Sequence, residues 1–218
     1  MKILAIEFSS EQRTAAVVES GGSGPAAVLG RAVETGTHRP LALAAEALRQ
    51  AGCEREEIEV LAVGLGPGSY TGIRGAIALA QGWQLGRGVK VIGVSSVEGL
   101  AAAAQEAKWT GPLDIIIDAQ RNEFYLARYE IGAGSRRELE ALRLARFAEI
   151  EELARGGATL CGPGATQWFA GARELQPDAG VLGRLAAERR DYTSGEKLEP
   201  IYLRETAFKK APPRRVTT

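Results

Sequence analysis

Short apolar runs separated by polar turns open the chain. Ile3, Leu4, Ala5, Ile6 and Phe8 predict a central strand, and 14–19 predicts its hairpin neighbour across Ser9, Ser10, Glu11 and Gln12. A glycine- and serine-rich turn at 20–25 leads to a third strand at 27–33, so three strands in a meander come first. The spacing then becomes helical: Leu41, Ala44, Ala45 and Leu48 share a face, and Gly52 ends the segment. A strand at 60–63, a helix over 75–85, a strand at 89–94 and an Ala-rich helix from 97 complete the half. That order predicts a mixed sheet covered by helices.

After Trp109-Thr110-Gly111-Pro112 the pattern starts again. Strands are predicted at 113–118, 123–129 and 139–144, then a helix around 147–154 and a strand at 158–161. The turn Gly162-Pro163-Gly164 and helices near 166–170 and 181–189 follow. The second half reads as a shortened copy of the first. The expected architecture is α/β with two related lobes, 1–108 and 109–192, followed by a C-terminal segment at 193–218.

The stretch Gly64-Leu65-Gly66-Pro67-Gly68-Ser69-Tyr70-Thr71-Gly72-Ile73-Arg74 lies between a strand and a helix, where three glycines around a proline demand a fixed, tight backbone. Three readings are open. Amides at Ser69 to Thr71 and the positive end of the helix dipole can hold an anion. The glycines can let another chain come close to the helix start. Or the turn is simply capped, with Ser69 or Thr71 as N-cap. It is not a P-loop, because the Lys-Ser/Thr ending is missing. Two related lobes leave a cleft between them, and the strand-end acids Glu7 and Asp118 point toward it. With Ser9, Ser10, Gly66 and Gly68 they form a candidate nucleotide or anion cleft, the plainer reading being polar strand ends.

Composition narrows the choice. Among 218 residues, 27 Lys and Arg balance 27 Asp and Glu, so the whole-chain field gives no reason to expect nucleic acid as a sole partner. Only the end is basic, through Lys209, Lys210, Arg214 and Arg215. Cys53 and Cys161 match no metal spacing, and no run is long and apolar enough for a membrane span, so a cytoplasmic protein is expected. His38 is the only histidine, and four positions on stands Ala42, so no His-x-x-x-His metal pair can form and no metal ligands are assigned. Neither a Gly-x-Ser-x-Gly elbow nor a cysteine-protease signature accompanies that His.

The segments Ile3-Leu4-Ala5-Ile6-Glu7-Phe8-Ser9-Ser10, Gly66 to Arg74, Ser95-Ser96, Asp118-Ala119-Gln120-Arg121-Asn122-Glu123-Phe124-Tyr125 and Pro200-Ile201-Tyr202-Leu203-Arg204 resemble, in this order, the bacterial TsaB (YeaZ) family. The resemblance implies ribonuclease-H-like lobes of the actin, sugar-kinase and Hsp70 (ASKHA) superfamily, the second lobe reduced. It also implies a non-catalytic subunit in the synthesis of N6-threonylcarbamoyladenosine in tRNAs that read codons beginning with A. Its implied partners are the catalytic paralogue TsaD, the ATPase TsaE and, through the complex, tRNA. ATP and a metal are expected in that assembly, none bound tightly by this chain. Glu7 stands where the family usually has Asp, and Thr37-His38-Arg39-Pro40 where it usually has His-Ser-Glu. A small kinase-like phosphotransferase is the rival reading, but Ala119-Gln120-Arg121-Asn122 lacks the glycine that would admit a phosphate.

A partner surface is then expected on the two Ala-rich helices. Ile73, Ile77, Ala80 and Trp83 share one face, and Gly72, Gly75, Ala76 and Ala80 are small. The expected interface comprises Leu41, Leu48, Ser69, Tyr70, Thr71, Gly72, Ile73, Arg74, Ala76, Ile77, Ala80 and Trp83, a surface that would pair two copies when the partner is absent. On this reading Ile73→Asp or Ile77→Asp abolishes pairing and leaves the monomer folded.

Overall fold

Two five-stranded sheets are built on one plan in the computed structural model, which describes residues 1–21, 24–36 and 39–203. In the first, β1 (Lys2–Glu7), β2 (Gln12–Glu19) and β3 (Ala27–Thr35) form the predicted antiparallel meander. Helix α1 (Pro40–Ala51) crosses to β4 (Val60–Gly64), parallel to β1, and α2 (Tyr70–Arg87) crosses to β5 (Lys90–Val94). The sheet order is β3-β2-β1-β4-β5. Helix α3 (Ser96–Glu106) leads to β6 (Gly111–Asp118), β7 (Glu123–Ile131) and β8 (Arg136–Arg146), again antiparallel. Then come α4 (Phe147–Arg155), β9 (Leu160–Gly162), α5 (Ala165–Trp168), β10 (Arg173–Glu174) and α6 (Ala179–Ala187). The second order, β10-β9-β6-β7-β8, is the first read backwards, so the second lobe repeats the path of the first with its last strands shortened.

Burial explains why the first sheet reads as almost continuous apolar runs. Leu4, Ile6, Phe8, Ala15 and Val17 face α1 and α2, while Ile3, Ala5, Ala16, Val18, Ala62 and Ile92 face the other way. Each fully buried Ile or Leu is worth about 2 kcal/mol. The second face is covered by α6, whose Ala179, Val181, Leu182 and Leu185 pack on it. Asp178 caps that helix through the amides of Gly180 (2.8 Å) and Val181 (3.2 Å), and Thr14 Oγ1 accepts from Ala179 N at 2.8 Å.

This corrects the expected boundary at 192. The chain leaves the second lobe before α6 and returns to the first, because the far face of sheet one is largely apolar and α3 covers only part of it, through Ala102 and Ala103. Beyond α6, Thr193 N donates to Val91 O and Ile201 N to Leu65 O, both at 2.9 Å. Helix α3 joins the lobes, with Val97, Leu100 and Ala104 against Leu113, Ile115 and Ile117 of sheet two. Helix α2 starts at Tyr70, five residues before the expected 75, because Ser69 caps it. The two-residue β10 had no periodic signal to reveal it.

Candidate functional site

The glycine turn is held from three sides. Ser69 N donates to Ser9 O at 2.7 Å, and Ser69 Oγ accepts from Gly72 N at 3.2 Å, so of the two candidate N-caps it is Ser69 that caps the helix. Gly68 has φ 144°, and a Cβ there would collide with Ser9 O; one at Gly72 would collide with Phe8 O. The glycines therefore serve a close approach within the chain, between the turn and the β1–β2 hairpin. Beneath the turn, Ser96 Oγ accepts from Gly66 N (3.1 Å) and donates to Glu7 Oε2 (2.8 Å), while Ser9 N donates to Glu7 Oε1 (2.8 Å). Glu7 is buried, and that burial raises its pKa above the ordinary value although the hydrogen bonds oppose it.

These bonds correct the expected cleft. Glu7, Ser9, Ser10 and Gly66 are enclosed by the chain's own turn, and the amides of Ser69 and Gly72 are used internally. Asp118 does not join them: its carboxylate accepts from Gln120 N (2.7 Å) and Gln120 Nε2 (3.1 Å) in its own hairpin. That hairpin places Gln120, Arg121 and Asn122 at φ 64°, 60° and 60°, three successive left-handed residues with side chains. Grooves of about 620 Å³ and about 610 Å³ lie on the second lobe and between α3 and β8, and neither includes Glu7, Ser9, Ser10, Gly66 or Gly68. Among the described residues no group of three or more His, Cys, Asp or Glu is arranged to hold a metal ion. Both cysteines are buried and free, and burial pushes the Cys161 thiol up to about 12.

The expected interface is also corrected in part. Ile73 is 0% exposed, and Gly72, Ala76, Ile77, Ala80 and Leu48 are likewise buried, because this row of α2 and the inner row of α1 supply the cover that sheet one needs. Ser69 and Trp83 are partly buried. Leu41, Tyr70, Thr71 and Arg74 do face outward. Sequence reasoning missed the rest of the outward row: Ala78, Gly82, Leu85 and Gly86, with Gly75 half-buried beside Pro40. Leu85 is 92% exposed, and nothing lies within 4 Å of a Cβ added at Gly82 or Gly86. The signal was present, since glycines inside an 18-residue helix cost about 1 kcal/mol each and fell at 75, 82 and 86.

Tyr202, read only as part of the late resembling segment, was not assigned to this surface. Its ring stacks on Tyr70 with centroids 5.5 Å apart, and the Arg74 guanidinium lies 5.3 Å from the Tyr70 ring centre. Desolvation raises the Tyr202 pKa, with Tyr70 adding to the effect and Arg74 opposing it. His38 and the basic residues Lys209, Lys210, Arg214 and Arg215 lie outside the described residues.

A family model described as TsaD, tRNA N6-adenosine threonylcarbamoyltransferase, matches residues 32–173, well over half of the chain. The chain is 34% identical over 130 residues to the tRNA threonylcarbamoyladenosine biosynthesis protein TsaB of Escherichia coli (strain K12), covering 60% of this chain and 55% of that protein. The counterpart of Haemophilus influenzae is 33% identical over 128 residues, covering 59% of this chain and 53% of its own length. YeaZ from Pseudomonas aeruginosa superposes with a TM-score of 0.72 at 25% identity, covering 93% of this chain and 99% of that one. The chain belongs to the TsaB (YeaZ) family.

The match spans about half the length of the curated TsaB relatives, whereas the structural likeness to YeaZ runs along nearly the whole chain. Four of the five segments that carried the TsaB resemblance meet here: the end of β1, the glycine turn, Ser96 and the Ile201–Tyr202 stretch are joined directly by hydrogen bonds or ring stacking. The fifth, the Asp118 to Tyr125 hairpin, belongs to the other sheet. No helix among the described residues is long and apolar enough to cross a membrane.

Proposed function

We propose that this chain is a non-catalytic subunit in the synthesis of N6-threonylcarbamoyladenosine in tRNA, and that it works by docking a TsaD-type catalytic paralogue. The supporting observation is the outward row of α2. Thr71, Arg74, Gly75, Ala78, Gly82, Leu85 and Gly86 make a shallow, small-residue strip, extended by Leu41 of α1 and by Tyr70. Gly82 and Gly86 weaken the helix and have nothing of their own fold beside them, which a second helix packing closely there explains. Two such helices against two of a paralogue of the same plan give a small bundle across a pseudo-twofold axis. TsaE and tRNA act on the assembled pair, as do ATP and the metal.

The enclosed β1–β2 hairpin supports the same reading against phosphotransfer, since its backbone already faces the glycine turn. Reconstitution tests the proposal: this chain with and without the catalytic paralogue, the ATPase, tRNA, ATP, threonine and bicarbonate. Modified tRNA is expected only when every protein is present. Consumption of ATP with a small acceptor by the purified chain alone would overturn it in favour of a kinase-like enzyme.

A further inference from the structure

Arg13 has an unusual place for an arginine. It sits on β2 at 6% exposure, and its buried Nε has no hydrogen-bond partner. The guanidinium carbon lies 5.7 Å from the centre of the Phe8 ring, a contact that favours the cation without satisfying its N–H donors. Burial lowers its pKa, and the field of Glu34 acts against that. A buried guanidinium N–H left without an acceptor is costly, and natural proteins seldom leave one so.

Neighbouring elements make this end of the sheet electropositive. Arg13 pairs in register with Glu34 of β3, on the face where Ala15 and Ala32 pack beneath α1. A Cβ at Gly30 would meet Ala47 and Ala51, so α1 runs back over β3 with its C-terminal end at Gly30 and its N-terminal end toward Glu34 and Arg13. Among the described residues no side chain is seen to cap that N-terminus: Arg39 at the N-cap position makes no side-chain cap, and Pro40 follows. The amides of Leu41 and Ala42 have no acceptor within the helix. Arg39 Nη2 donates to Glu34 Oε1 at 3.1 Å, so this carboxylate is already engaged by one of the two guanidiniums.

We propose that Arg13, Arg39 and the first turn of α1 bind a small oxyanion of the phosphate, sulfate or bicarbonate class. The guanidinium fork matches two oxygens of such an ion, and the helix N-terminus supplies further donors and a favourable field. Near-complete cover over Arg13 selects an ion of a few atoms over a side chain carried on a docking surface.

Thermal melts of the full chain in low-salt buffer test this, titrating inorganic phosphate, sulfate and bicarbonate separately against sodium chloride of matched ionic strength. At least one oxyanion is expected to raise Tm by about 5–10 °C more than chloride at a hundredfold excess over its Kd. Arg13→Met should abolish that increment and, without oxyanion, melt no lower than the unsubstituted chain, since it replaces a buried cation with an unsatisfied Nε donor by an apolar group of similar length. Arg39→Gln, at the surface, should keep the fold and weaken the effect roughly tenfold. An oxyanion effect equal to that of chloride, or one retained in Arg13→Met, would overturn the site. So would an Arg13→Met chain that fails to fold, because the guanidinium would then be satisfied within the protein.

Discussion

The two lobes share a strand order and differ in what their first hairpins do. In the first lobe the β1–β2 turn lies buried beneath the glycine turn, and both faces of the sheet are covered, by α1 and α2 on one side and α6 on the other. In the second, the β6–β7 turn exposes Arg121 and Asn122 in left-handed conformations, and α4 and α5 are short. An Asp114–Arg128 ion pair (2.7 Å) lines an open groove at the part of that sheet they leave uncovered. A cleft that cradles phosphate needs an open, glycine-lined hairpin from each lobe. Here one is closed and the other carries side chains. The same sheet plan has become a rigid platform in one half and a reduced buttress in the other.

The contrast can be broken most sharply at the close approaches. Gly68→Ala sets a Cβ against Ser9 O at φ 144° and should cost more than about 3 kcal/mol in chemical denaturation. In the second lobe, Asn122→Gly should instead stabilise by about 1 kcal/mol, because glycine adopts φ 60° without a steric penalty. Equal and opposite failure of these two would erase the distinction between the hairpins.

Beneath the turn, Glu7→Ala should lose about 2–4 kcal/mol by removing the acceptor of Ser9 N and Ser96 Oγ. The milder Glu7→Gln tests the charge alone. The folded pKa of Glu7 is raised above 4.5, so over the window above 4.5 the folded state keeps a proton that the unfolded state has released. Stability contributed by this group is present at low pH and falls as pH rises through the folded pKa. Glu7→Gln should flatten that part of the curve measured by denaturant melts. A smaller effect is expected at the outward row: Gly82→Ala should raise monomer stability by about 0.5–1 kcal/mol, through helix propensity.

How much of this was legible in the sequence follows from which forces are local. Strand and helix periods, the Ser69 cap and the repeated half are written in nearby residues, and they appear as expected. The return of α6 to the first sheet was hidden, because an apolar helix carries no record of which sheet it covers. For the same reason Ile73 and Ile77 were read as a partner face when they supply the chain's own core, and Ile73→Asp is now expected to unfold the monomer. Glycines 75, 82 and 86 held the better clue, since nothing local accounts for them. The enclosure of Glu7 and Ser9 depends on Ser69 and Ser96, far along the chain, and spacing could not disclose it.

The most direct test is the affinity of Gly82→Arg for the TsaD-type paralogue, measured by calorimetry beside a thermal melt of the variant alone. Docking through the outward row of α2 predicts binding at least a hundredfold weaker with the fold intact, about 2.7 kcal/mol. Binding within twofold of the unsubstituted chain would contradict it.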